Sequence, residues 1–151
     1  MDKAIYFDMD GTIADFYAVR GWKTYLKIYS DQPYRRALPM WNTAALKGII
    51  RDLKEAGYTV GIITWLSKET TPEYDKKVRE AKKHWLRKYG LWDLMDEVHM
   101  VKYGTPKHLV ANHRKTILVD DNSEVRERWM NYGGTTINPI GDLFKELKVL
   151  L

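Results

Sequence analysis

The chain contains no cysteine, which excludes disulfides and thiolate metal sites and gives no sign of an oxidising compartment. It also lacks any run approaching the ~20 apolar residues of a membrane span. The first ten residues carry acids at Asp2, Asp8 and Asp10, and the first twenty lack a signal peptide's basic start and long apolar core. A cytoplasmic protein without a membrane partner is therefore expected. Internal repeats, low-complexity segments and linkers are missing too, and 151 residues suit one domain that buries about two-thirds of its unfolded surface. Nothing in the sequence sets an oligomeric state.

What is present is the balance of a folded globular protein, with 44% hydrophobic and 30% charged residues. The net charge of +5 favours anionic partners, because a positive field concentrates phosphorylated ligands. The densest basic stretch is Lys76, Lys77, Arg79, Lys82, Lys83, Arg87 and Lys88. It reads as the solvated face of a helix, with a polynucleotide-binding stripe as the other reading.

The most informative stretch is the first dozen residues. Ala4-Ile5-Tyr6-Phe7 has strand length and breaks at once into Asp8-Met9-Asp10-Gly11-Thr12. Acids at the C-terminal mouth of a strand lie where open α/β sheets bind ligands. On a straight strand Asp8 and Asp10 would face opposite ways, but a turn at Gly11 brings both to one centre. Asp8 could then attack an electrophile or ligate a metal while Asp10 moves a proton. A plain Asp-Gly turn is the competing reading.

Down the chain, Ala14 to Trp41 interrupts the βα rhythm with an aromatic-rich segment containing Phe16, Tyr17 and Trp22. It is too short for a core of its own and reads as a small helical lid beside the Asp8 mouth. Arg35 and Arg36 within it are either a clamp for a second anion or solvated. The pattern predicts helices over Thr43–Ala56, Pro72–Tyr89 and Lys107–Asn112, one marked by Val125 and Trp129, and one from Asp142 to Leu150. It predicts further strands over Tyr58–Ile63, Glu97–Val101, Thr116–Val119 and Thr135–Asn138. The alternation implies an α/β fold, a mostly parallel five-stranded sheet with helices on both faces. Three strands thus run directly into polar groups: Asp8/Asp10, Thr64 and Asp120/Asp121.

Taken together, Asp8-x-Asp10-Gly11-Thr12 after an N-terminal strand, Thr64 after the second and Asp120-Asp121 after the fourth resemble the haloacid dehalogenase (HAD) superfamily, most of whose members are phosphatases. The resemblance spans nearly the whole chain. It implies a Rossmann-like core of strand order 3-2-1-4-5, one domain over 1–151, and a cap insertion at 14–41. Asp8 would be the nucleophile that forms an aspartyl-phosphate and Asp10 the acid/base. Thr64 and the Trp65 backbone N–H would hold the phosphoryl group. Lys107, with Lys102 as rival, would neutralise Asp8 and the phosphate. Mg²⁺ would be bound by Asp8, the Asp10 backbone carbonyl and Asp120, with Asp121 orienting the metal's surroundings or ligating through water.

Ile13-Ala14-Asp15-Phe16 further resembles the 5′(3′)-deoxyribonucleotidase branch, which implies a nucleoside monophosphate substrate, with Phe16, Tyr17 or Trp22 stacking on the base or merely packing the lid. Trp65 departs from that branch, which has a small residue there. A polynucleotide 3′-end phosphatase and a non-catalytic phospho-ligand binder are the alternatives.

Overall fold

The computed structural model describes residues 3–111 and 116–151. Its centre is β1 (Lys3–Phe7), buried from Ala4 onward. β1 pairs in parallel with β2 (Tyr58–Trp65) on one side and β4 (Ile117–Val119) on the other. β3 (Glu97–Val101) and β5 (Thr135–Ile137) complete the order β3-β2-β1-β4-β5. The expected order is therefore observed, and every pairing among the described strands is parallel.

Alternation along the strands sorts the core into two layers. Ile5, Phe7, Val60 and Ile62 face Leu46, Ile49, Ile50 and Leu53 of α3 (Thr43–Glu55) and Leu143 and Leu147 of α6 (Leu143–Lys148). Ala4, Tyr6, Ile63 and Leu118 face Val125 and Trp129 of α5 (Ser123–Asn131). A one-residue slip of β1 would exchange these faces and carry its terminal carboxylates with them, so burial on both sides fixes the register of the site. Gly61 permits the close packing of Tyr6: a Cβ there would stand 2.9 Å from the Tyr6 ring and 3.0 Å from the Glu97 carbonyl oxygen.

Between β1 and α3 run a 3₁₀ turn (Phe16–Ala18), α1 (Trp22–Lys27) and α2 (Gln32–Arg36). The neck of this insert is stitched at both ends, by an antiparallel bridge between Ala14 and Pro39 and by the Met40 amide donating to the Ile13 carbonyl at 2.8 Å. Phe16 and Tyr34 pack with Leu66 and with Tyr74, Val78 and Ala81 of α4 (Pro72–Lys88). The insert therefore shares its small core with the main body.

Three expectations need correction. β2 continues through Thr64 to Trp65, because both residues still pair with β3 at Met100 and Val101. The segment from Lys107 is a 3₁₀ turn ending at Leu109; its expected end, Asn112, lies outside the described residues. The basic face of α4 is not wholly solvated, since Lys82 is 1% exposed. No helix among the described residues is long and apolar enough to cross a membrane.

Candidate active site

The register puts Phe7 level with Val119, so Asp8 and Asp120 leave neighbouring strands side by side; on the other flank Phe7 is level with Ile62, and Thr64 follows two residues further along β2, still within the strand. The Asp8 amide still donates to the Val119 carbonyl at 2.9 Å. The chain then curls round one acceptor, with the amides of Thr12, Ile13 and Ala14 each donating to the Met9 carbonyl at 3.0 Å. Gly11 makes this curl possible at φ +85°, and any Cβ there would collide with the Asp121 carboxylate.

Charge is packed tightly at this mouth. The Lys107 ammonium donates to Asp8 Oδ1 at 2.9 Å and to Asp120 Oδ2 at 2.8 Å, and the residue is 4% exposed. Burial alone would lower the Lys107 pKa, but the Asp8 and Asp120 carboxylates hold it above the ordinary lysine value. Lys102, the rival, is exposed. Thr12 Oγ1 lies 3.1 Å from Asp8 Oδ2 and 3.2 Å from Asp121 Oδ1, and accepts the Asp121 amide at 3.2 Å. With one proton, that hydroxyl serves one carboxylate at a time.

Asp8, Asp120 and Asp121 each offer an oxygen within 4.8 Å of the others. Burial, then repulsion from Asp8, pushes Asp120 up to about 6 and Asp121 up to about 7. A single lysine thus leaves the cluster short of positive charge. An all-oxygen carboxylate set with mutual repulsion fits a hard divalent cation such as Mg²⁺.

Asp10 stands on the other side of the turn. Burial raises its pKa, and Lys82 pulls against that rise. The Lys82 ammonium donates to Asp10 Oδ2 at 2.8 Å, to Thr64 Oγ1 at 2.6 Å and to the Trp65 carbonyl at 2.9 Å. The sequence reading missed this lysine, although it lies four residues after Val78 and four before Leu86, on the buried stripe of α4. Thr64 is fully buried beside it.

Above the carboxylates opens a cavity of about 540 Å³. Phe16, Tyr17 and Trp22 line it together with Tyr34, Trp65 and Tyr103. Tyr17 meets Phe16 and Trp22 edge-on at centroid distances of 5.3 and 5.1 Å. On the sheet side Trp65 and Tyr103 pack at 5.0 Å, while Trp65 lies 5.4 Å over the Lys107 ammonium and donates its Nε1–H to the Thr105 carbonyl. Arg35 is tied to Asp31 at 2.7 Å and Arg36 lies over Tyr25, both away from the cavity lining.

The parallel sheet of order 3-2-1-4-5, with carboxylates at the mouths of the adjacent strands β1 and β4, is a fold that solved structures share. The chain is similar to a hydrolase from Streptococcus pneumoniae TIGR4, with TM-score 0.63, 11% identity and 97% of each chain covered. It is similar to a HAD-family enzyme from Bacteroides thetaiotaomicron in complex with magnesium and inorganic phosphate, with TM-score 0.56, 12% identity, and 95% of this chain and 98% of that one covered. A third is the D,D-heptose 1.7-bisphosphate phosphatase from B. bronchiseptica complexed with magnesium and phosphate, with TM-score 0.53, 14% identity, and 89% and 78% covered. No protein-family model matches the chain, and no curated protein does. At these identities the likeness is one of fold.

Proposed function

We propose that the chain is a Mg²⁺-dependent phosphomonoesterase that works through an aspartyl-phosphate on Asp8, with nucleoside monophosphates as its substrates. The observation that carries this reading is the cluster of Asp8, Asp120 and Asp121 with Lys107 at the mouth of two adjacent parallel strands. Residues 1–151 act as one domain, with 14–41 as the lid. Asp8, Asp120 and the Asp10 backbone carbonyl would hold the ion, with Asp121 beside them. When bound, it neutralises the repulsion between carboxylate and phosphate.

Asp8 attacks phosphorus, the bond to the leaving oxygen breaks, and the Asp10 carboxyl delivers its proton to that oxygen, releasing the alcohol. Asp10, now a carboxylate, takes a proton from water; the resulting hydroxide attacks phosphorus, and the bond to Asp8 breaks to free phosphate. Lys107 holds Asp8 in place, and two carboxylate contacts leave its third N–H for a phosphoryl oxygen. The Thr64 hydroxyl and the Trp65 N–H are assigned to the same group. A non-catalytic binder would have no use for Asp10.

The nucleotide reading is supported by the ring-lined walls, which match a planar base joined to phosphate through a sugar. The second reading is a polynucleotide 3′-end phosphatase, favoured by Lys23, Lys27 and Lys68 along the same cavity. The test is phosphate release from nucleoside monophosphates, sugar phosphates and 3′-phosphorylated oligonucleotides, with Mg²⁺ or EDTA. Release that needs Mg²⁺ and is fastest on the monophosphates is expected. Preference for oligonucleotides, with salt-sensitive KM, would select the second reading, and no release from any substrate would refute both.

A further inference from the structure

Lysines in the two halves of the site do different work, and the difference lies in how many protons each has to spare. An ammonium carries three N–H donors. Lys82, which is 1% exposed and absent from the cavity lining, uses all three on Asp10 Oδ2, Thr64 Oγ1 and the Trp65 carbonyl. It therefore has nothing to offer a substrate phosphate. Burying an ammonium is costly until its partners compensate, a cost that a purely structural position could avoid with leucine or methionine.

Resting on the proposed phosphatase reading, we propose that Lys82 is the positioning residue for Asp10, locking the acid/base carboxylate to the end of β2. Asp10 sits on the Gly11 curl, off the sheet, and Lys82 is the only donor to its carboxylate among the described residues. One oxygen, Oδ2, is held; Oδ1 is left to carry the transferring proton. By bonding Thr64 and the Trp65 carbonyl as well, the same ammonium sets Asp10 relative to the strand end assigned to the phosphoryl group. A link between proton donor and phosphoryl site then runs through α4, none of whose residues lines the cavity.

Up to departure of the leaving group, the lock matters only when the leaving oxygen needs a proton; the later attack of water draws on Asp10 whatever the ester. Lys82→Met is therefore expected to cut kcat/KM, which reports the first chemical step alone, by about 100-fold on an alkyl phosphate such as a nucleoside monophosphate. On p-nitrophenyl phosphate, whose leaving group departs as an anion, the loss in kcat/KM should stay within about 5-fold. In an Asp10→Asn background the same substitution should add almost nothing, since residues acting through one another are not additive. Lys82→Gln, which keeps two donors, should recover part of the loss and serves if the methionine variant does not fold; circular dichroism and thermal melting establish folding for each. An equal loss on both esters, an additive double variant, or full activity in Lys82→Met would overturn the inference while leaving the phosphatase reading intact. A wild-type protein inert on every ester would overturn both.

Discussion

The floor of the cavity and its wall are built on opposite principles. The floor is charge: Asp8, Lys107 and Asp120 are each below 10% exposed, with the two acids at strand ends fixed by the sheet and Lys107 reaching them from a 3₁₀ turn. The wall is aromatic surface: Tyr17 and Tyr103 are each 54% exposed and held mainly by other rings. A buried charge that loses a partner is left uncompensated, whereas a half-exposed ring that is removed gives way to water. Damage to the floor should therefore reach chemistry and folding together, and damage to the wall should reach substrate choice alone.

The largest effect is expected from Asp8→Asn, which keeps the shape of the side chain but removes the proposed nucleophile. Turnover of every substrate should fall by at least ~10³-fold. Residual activity within tenfold of wild type would break the comparison at its root. Next comes Lys107→Met, which strands Asp8 and Asp120 without their cation and should cost about 3 kcal/mol of stability in EDTA, read by urea denaturation. If both activity and stability survive, the floor is not the tightly coupled unit described.

A smaller effect separates floor from wall by pH. Burial and the Asp8 charge push Asp120 up to about 6 and Asp121 up to about 7, above their ordinary value of 3.8. A carboxylate raised on folding contributes stability that is full below its unfolded pKa and is lost as pH climbs through the folded one. In EDTA the melting temperature should therefore drop between pH 5 and pH 8 by roughly 3 °C or more. Mg²⁺ should reverse the trend, stabilising more at pH 8 than at pH 5, because it binds the ionised carboxylates. A Mg²⁺ shift of the same size at both pH values would show that these acids do not face the ion.

The same contrast explains what was legible in the sequence. Asp8 and Asp120 could be read because an apolar run buried on two faces has one register, and the residue after it must emerge at the mouth. Lys107 came only from the family resemblance, since a lone lysine in a loop carries no periodic signal. Lys82 was misread through composition: it sits among so many basic residues on α4 that the whole face was taken as solvated. Its spacing from Val78 and Leu86 was the better guide. Tyr34 and Tyr103 were missed for another reason. They reach the cavity from the insert and from the loop after β3, where the chain's path decides the contact and no repeat in the sequence encodes that path.

The smallest expected effect bears on the wall itself. Tyr17 closes over Gly11 from the insert, so close that a Cβ at that glycine would stand 3.0 Å from its ring, while Tyr103 stands on the sheet side against Trp65. If a base lies against these rings, each contact is worth about 1–3 kcal/mol, or roughly 5-fold or more in affinity. Tyr17→Ala and Tyr103→Ala should therefore raise KM for nucleoside monophosphates by about that factor, with kcat and melting temperature nearly unchanged. Acetyl phosphate, which has no ring to stack, should be handled as by the wild type. An equal rise in KM for both substrates would mean that the rings shape the mouth without reading the substrate, and the division between a chemical floor and a selective wall would fail.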